Sequence, residues 1–175
     1  MVKEIDNKVC KEFVDQNHIQ GHHNSKIKIG LFYDDKLVSV MTFGSLRKSL
    51  GMKSVDGSYE MVRFCNLKNT KVIGGGSKLF NHYIKNYNPK MILSYSDNRL
   101  FGGGLYKNLG FEYIHKSKPT YYYTKNELRF HRLNYKKKNL IKSGFDKNKT
   151  EKLIMSERGF NRIYDCGVTR WEWKM

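Results

Sequence analysis

Lys71-Val72-Ile73-Gly74-Gly75-Gly76-Ser77-Lys78 stands between an apolar run and an amphipathic one, a place where glycines can do chemistry. Without Cβ atoms the backbone approaches a phosphate closely. The free amides of a first helical turn, with the helix dipole behind them, then point at that charge. The stretch is therefore a candidate anion site suited to a pyrophosphate, with Lys71, Ile73, Gly74, Gly75, Gly76, Ser77 and Lys78 as its residues. The plain alternative is that three glycines turn the chain. The spacing is neither G-x-x-x-x-G-K-[ST] nor a dinucleotide fingerprint.

A second constellation is Ser94-Tyr95-Ser96-Asp97, at the end of an apolar run, with Tyr106 nine residues further on. In open α/β sheets ligands gather at the carboxyl ends of strands, so Asp97 there is a candidate to orient a nucleophile, take a proton or hold a cation. Aspartate equally caps turns. Tyr106 is a candidate acid for a leaving group, or a buried ring with a satisfied hydroxyl. The third constellation is His18, His22 and His23, three imidazoles within six residues. Neutral imidazole binds transition metals and shuttles protons, so a divalent metal at His18 and Asp97 is one reading and a polar loop the other.

The fourth is basic and aromatic. Tyr121, Tyr122 and Tyr123 precede Arg129, Arg132, Lys136, Lys137 and Lys138, and Arg47, Lys48, Lys53, Arg63 and Arg99 add cations upstream. Cations neutralise phosphates while aromatic faces stack on exposed bases, which makes these residues a candidate nucleic-acid surface. The alternation from Tyr121 to Thr124 could instead bury Tyr122 alone.

These residues need elements to hold them. Residues 2–17 carry Val2, Ile5, Val9, Cys10, Phe13 and Val14 at three- and four-residue spacing, which predicts one amphipathic helix. Alternation in KIKIGLFY, a turn at Asp34-Asp35 and the run LVSVMTFG predict a hairpin. The loop 47–58 is long enough to be functional. YEMVRFCN predicts a strand, and the glycine stretch then leads into a helix with Leu79, Phe80, Tyr83 and Ile84 inward. MILSYS predicts a buried strand, followed by a glycine loop, a short helix and a strand in LFGGGLYKNLGFEYI. Beyond residue 116 the pattern predicts a hairpin, a basic helical stretch, a second short helix and a closing hairpin around Gly167. The alternation is that of a mixed α/β sheet flanked by helices.

Composition limits the function classes. The 175 residues hold 33 Lys and Arg against 16 Asp and Glu, a formal charge of +17. The segment 116–175 holds 16 against 6, or +10 of that surplus. Such a surplus concentrates polyanions, so nucleic acid is the expected partner and an anionic cofactor the next. Cys10, Cys65 and Cys166 form no paired framework, which points to a reducing compartment. No apolar run reaches the roughly 20 residues of a membrane span, so a cytoplasmic location without membrane contact is expected.

The glycine loop and helix, the following strand and then G-x-x-Y-x-x-x-G-F resemble the GNAT acyltransferase fold, in which an R/Q-x-x-G-x-G/A loop holds the coenzyme A pyrophosphate. Lys71-x-x-Gly74-x-Gly76 matches with Lys as first residue. More closely, HIQG, NSKIKIGLFYDDKLVSVMTFG, EMVRFC and LSYSDNRLFGGGLYKNLGFEYI resemble, over about residues 10–115, the Mom-like phage proteins that modify adenine in DNA. That resemblance implies His18, Asp97 and Tyr106 as active-site residues, although Ile19 stands where those proteins tend to carry an aromatic. The whole chain also resembles phage modules grouped as Hef-like or homing-endonuclease-associated, yet GIY-YIG, H-N-H and LAGLIDADG patterns are missing.

The expectation is a GNAT-like domain over residues 1–115, with a mixed, mostly antiparallel sheet, and a basic extension over 116–175 packed on it. It would transfer a group from acetyl-CoA or another acyl-CoA to a base amine, most readily adenine in DNA rather than RNA, in the cytoplasm of an infected bacterial host. The alternatives are a non-catalytic nucleic-acid-binding module tied to a homing endonuclease or to defence evasion, and an N-acetyltransferase of proteins or small molecules.

Overall fold

The computed structural model describes residues 1–47 and 55–175, so Lys48, Lys53 and the middle of the 47–58 loop lie outside the described residues. The chain divides into two units. The first is Met1–Ser96, Phe101–His115 and Thr169–Met175; the second is Asp97–Leu100 and Lys116–Val168. The C-terminal stretch Thr169–Met175 thus falls in the first unit and Asp97–Leu100 in the second.

The first unit is built on a seven-stranded sheet ordered β1-β2-β3-β4-β5-β10-β6. Its strands are β1 (Val2–Glu4), β2 (Ile27–Tyr33), β3 (Lys36–Ser45), β4 (Ser58–Asn66), β5 (Met91–Asp97), β6 (Glu112–Lys116) and β10 (Val168–Lys174). The predicted first helix is corrected at its start. Val2, Lys3 and Glu4 pair antiparallel with β2, and α1 (Asn7–Asn17) begins only after Asp6. The carboxylate of Asp6 accepts a hydrogen bond from the Val9 amide at 2.9 Å, which fixes the helix start there.

The hairpin β2–β3 is as expected, and its turn residues Asp34 and Asp35 both hold positive φ, 46° and 56°. That is the geometry a two-residue turn needs to match strand twist. Strand β3 is central and buried from Ser39 through Gly44. Helix α2 (Gly75–Tyr87) packs Leu79, Phe80 and Tyr83 onto this sheet, with the Tyr83 ring stacked on Phe43 at 3.5 Å between centroids. Burial pushes the Tyr83 phenol far up, so it stays neutral. Asn88, with φ 44°, and Pro89 end the helix. On α1, Cys10, Phe13 and Val14 pack with Val40 and Cys65. Burial pushes the Cys65 thiol up to about 12.

The expected closing hairpin does not form. Strand β9 (Asn161–Tyr164) pairs with β7 (Tyr121–Lys125) in a separate three-stranded sheet ordered β8-β7-β9, where β8 is Leu128–His131. Strand β10 instead joins the large sheet between β5 and β6. Burial explains the choice. Trp171 is buried, donates from its indole N–H to Ser96 Oγ at 2.9 Å, and stacks on Tyr106. The second unit closes with a 3₁₀ turn (Arg132–Tyr135), α4 (Lys137–Lys142) and α5 (Glu151–Glu157), whose Leu140, Ile154 and Met155 cover Tyr123.

Candidate active site

The site begins where two parallel strands lose each other. Strands β4 and β5 pair only at Ser58 with Met91, Tyr59 with Ile92 and Glu60 with Leu93. Beyond that rung neither strand has a ladder partner on the other, although β4 continues to Asn66 and β5 to Asp97. Backbone groups that leave a ladder need other partners. Two carbonyls find them in hydroxyls. The Ser94 hydroxyl lies 2.8 Å from the Met61 carbonyl and 3.1 Å from Tyr106 Oη, and Tyr106 donates to the Tyr95 carbonyl at 3.3 Å.

Helix α3 (Gly104–Asn108) carries Tyr106 to this point. Its ring stacks on Trp171 with centroids 5.3 Å apart and meets Phe111 edge-on. Burial, reinforced by the charge of Glu60, raises the phenol above its ordinary range, so Tyr106 holds its proton at neutral pH.

The glycine stretch meets the same elements at Gly76, where a Cβ would come within 3.4 Å of Phe64 in β4 and closer still to Leu105 in α3. Gly74, with φ 69°, is the N-cap of α2, and a Cβ on it would meet nothing within 4 Å. Gly75 and Gly76 are buried. A Cβ on Gly75 would come within 2.9 Å of Val72, and one on Gly76 within 2.9 Å of Leu105. Lys78 donates its amide to the Gly74 carbonyl at 2.9 Å, while the amides of Gly76 and Ser77 have no acceptor among the described residues. Beside them Ile73 is 82% exposed. Lys71, Ser77 and Lys78 are exposed.

One residue of this site carries little sequence signal. Glu60 is 3% exposed on the last rung of the β4–β5 ladder. Arg47 holds it through Nε at 3.0 Å and a terminal nitrogen at 2.6 Å, and the guanidinium also lies over the Tyr95 ring. A carboxylate buried this deeply needs such a partner. Arg47, expected to face nucleic acid, is thus engaged inside the unit. Beside it a cavity of about 450 Å³ is lined by His23, Ser25, Lys26, Gly44, Arg47 and Val62. Val62 is the extra residue of a bulge, since Thr42 pairs with Arg63 and Phe43 with Met61.

The histidines do not converge. His18 Nδ1 accepts from the Gln20 amide at 3.0 Å, His22 is tied through its amide to Asp15, and His23 Nδ1 meets the Asn24 carbonyl. No three His, Cys, Asp or Glu stand together as a metal site among the described residues. Burial and the nearby Arg63 push His18 down to about 4, and the same guanidinium works against a cation there. Arg63 itself donates to the Gly21 and Val62 carbonyls at 2.8 and 3.0 Å, so it fastens the loop after α1 rather than standing free.

The His18 shift has a testable consequence. A histidine whose folded value lies below its ordinary 6.5 costs stability as pH falls, because the unfolded chain takes a proton that the folded one refuses. The loss runs from about 6.5 down to about 4. In thermal denaturation across that window His18→Gln should show a shallower decline than wild type; identical slopes would remove His18 as the source.

Asp97 belongs to the second unit, whereas His18 and Tyr106 belong to the first. Its carboxylate accepts from the Arg99 amide at 2.9 Å and pairs with the Arg99 guanidinium at 3.6 Å. Those are the contacts of a turn cap, and they engage Arg99 as well. Farther along the second unit Arg132 lies over the Tyr121 ring, and Lys136, Lys137 and Lys138 are exposed.

The Mom protein family model matches residues 1–164. The chain belongs to the Mom protein family. The match supports the Mom side of the resemblance seen in the sequence; the homing-endonuclease side has no counterpart in it. No curated protein sequence matches the chain.

This Mom-family chain is also similar to solved acetyltransferases. The ribosomal-protein-S18-alanine N-acetyltransferase of Escherichia coli shares 9% identity at a TM-score of 0.58, over 99% of this chain and 92% of that one. An acetyltransferase of Bacillus subtilis in complex with CoA shares 11% at 0.56, over 99% and 97%. A GNAT family acetyltransferase of Elizabethkingia anophelis with acetyl-CoA bound shares 9% at 0.51, over 100% and 97%. The Mom-family fold is thus the GNAT acetyltransferase fold, as the glycine loop and Tyr106 stretch implied. Among the described residues no helix is long and apolar enough to cross a membrane.

Proposed function

We propose that this Mom-family chain transfers an acyl group from an acyl-CoA to an amine on a nucleic-acid base, adenine in DNA foremost. The observation that carries the reading is the ladder of β4 and β5 ending at Glu60 and Leu93, with a neutral phenol at the divergence. The residues present fit an acyl-CoA. Gly75 and Gly76 keep the start of α2 free of side chains, the amides of Gly76 and Ser77 are available to a diphosphate, and exposed Ile73 offers an apolar contact beside them. The two CoA-bound structural neighbours named above support the same choice.

When bound, the thioester supplies an activated acyl carbon. The base amine forms the new C–N bond as the C–S bond breaks, and Tyr106 gives its phenolic proton to the departing sulfur. We assign Glu60 to receive the amine's proton through water, its carboxylate held in place by Arg47 at 2.6 Å. Tyr106 then recovers a proton from solvent. Asp97 has no part in this scheme, because its oxygens serve the turn and Arg99. A base in duplex DNA must be flipped out at a cost of about a few kcal/mol, and the net charge of +17 supplies affinity toward that goal.

Acetyl-CoA should raise the melting temperature, by an amount equivalent to about 2.7 kcal/mol when present at 100 times its dissociation constant. Mass spectrometry of nucleosides from DNA of cells expressing the protein should show a heavier deoxyadenosine. No shift with acetyl-CoA would remove the cofactor. A shift with unaltered nucleosides would move the acceptor to a protein or small-molecule amine.

A further inference from the structure

The three-stranded sheet of the second unit has one face covered and one open. Pairing puts Tyr122 level with His131 on β8 and Ile163 on β9, and Thr124 level with Arg129 and Asn161. Residues directly opposite across a ladder share a face, so these six form two rows on one side. The other side carries Tyr123, which is 1% exposed and covered by α4 and α5. The alternation therefore runs opposite to the alternative reading in which Tyr122 alone is buried. The open rows are solvated: Ile163 is 51% exposed, and Arg129, His131 and Asn161 are exposed too.

The chemistry of this face is specific. The Tyr122 ring sits at its centre on the middle strand. The guanidinium of Arg129 lies over the ring at 4.6 Å, and the His131 ring meets it edge-on at 5.6 Å. His131 Nδ1 accepts from the Leu133 amide, which fixes that ring. Three flat groups thus share a patch with an exposed isoleucine, on a unit with 15 Lys and Arg against 6 Asp and Glu, a surplus of 15 − 6 = +9. Just past β8 follow the exposed Lys136, Lys137 and Lys138. A purely solvated sheet face would need neither the isoleucine nor this cluster of rings and guanidinium. A duplex hides its base faces, whereas a single strand offers them together with its phosphates.

We infer that the open face of this sheet is a platform for single-stranded nucleic acid. Bases stack on Tyr122 and on the guanidinium plane of Arg129, and the basic surplus of the unit draws the phosphates. The inference deepens the nucleic-acid reading above and rests on it for the class of partner. It gives the chain a way to hold unpaired nucleotides on its second unit.

Fluorescence anisotropy with a labelled oligothymidylate, and with a duplex of equal length, tests it. Wild type should bind the single strand more tightly. Tyr122→Ala should lose about 5- to 150-fold of that affinity, as expected for one stacked base, while Tyr122→Phe keeps it. Should the alanine variant fail to fold by circular dichroism, Tyr122→Leu, apolar but not flat, should show the same loss. Lys137→Ala should weaken both forms alike. Wild-type affinity in a folded Tyr122→Ala or Tyr122→Leu, or tighter binding of the duplex, would overturn the platform. So would polyglutamate displacing the oligonucleotide as well as unlabelled oligothymidylate of equal charge. The transferase reading fails separately: unaltered nucleosides together with Tyr122-dependent single-strand binding would leave the platform standing.

Discussion

Tyr106→Phe is expected to lower the rate of acyl transfer by about 10²- to 10⁴-fold, the usual contribution of a positioned acid, while the protein still folds and acetyl-CoA still raises its melting temperature. The reasoning rests on how little else the hydroxyl does. Its ring contacts with Trp171 and Phe111 persist in phenylalanine, and Ser94 keeps the Met61 carbonyl as acceptor. What is lost is the bond at 3.3 Å to the Tyr95 carbonyl and the 3.1 Å contact with Ser94, a net cost of about 1–2 kcal/mol. The effect should fall on kcat rather than on the affinity for acetyl-CoA, because the proton is needed only as the C–S bond breaks. Acyl donors with a more acidic leaving thiol should recover part of the loss. A folded Tyr106→Phe that turns over at the wild-type rate would leave Tyr106 a packing residue and remove the acid from the mechanism.

The parts of the fold written in short-range pattern were legible. Asp34-Asp35 between alternating runs marked the β2–β3 hairpin, and Leu79, Phe80 and Tyr83 at helical spacing marked the face of α2 that the core receives. The parts decided by distant partners were not. Val2 and Ile5 lie at a spacing that suits the helix face, but the β2 edge claims Val2 through Glu4, and only the Asp6 cap shows where the helix begins. The parity of Tyr121, Tyr122 and Tyr123 is symmetric in sequence. The helices packed behind the sheet select Tyr123. At the site, the glycines and Tyr106 were visible because their types are unusual where they stand. Glu60 and Arg47 were not seen as a pair, since 13 residues and a loop separate them. The one available signal was an acidic residue inside the apolar run YEMVRFC. Cations counted from composition also proved unequal: Arg63 is bonded to carbonyls of its own unit, whereas Lys136 to Lys138 are exposed.

Gly103→Ala is expected to destabilise the protein by about 2–5 kcal/mol, combining overpacking with a backbone that L-residues avoid, and to lower the melting temperature by about 4–20 °C for a chain of this size. Three glycines stand in a row at 102–104, yet only the middle one is confined. Gly103 has φ 82°, and a Cβ on it would lie 2.1 Å from the six-membered ring of Trp171. Gly102 and Gly104 would place theirs within 4 Å of nothing, and neither has a positive φ. The indole cannot retreat cheaply. It is 4% exposed, bonded to Ser96 Oγ and stacked on Tyr106 with an interplanar angle of 8°. Displacing Trp171 therefore moves the phenol that the transfer step needs, so activity should fall with stability and the near-ultraviolet circular dichroism of tryptophan should change. Gly104→Ala, in the first turn of α3, should be neutral or slightly stabilising, because alanine restricts the unfolded chain more than glycine does. A Gly103→Ala variant melting with wild type, or a Gly104→Ala variant losing as much, would mean that contact with Trp171 does not set the position of α3.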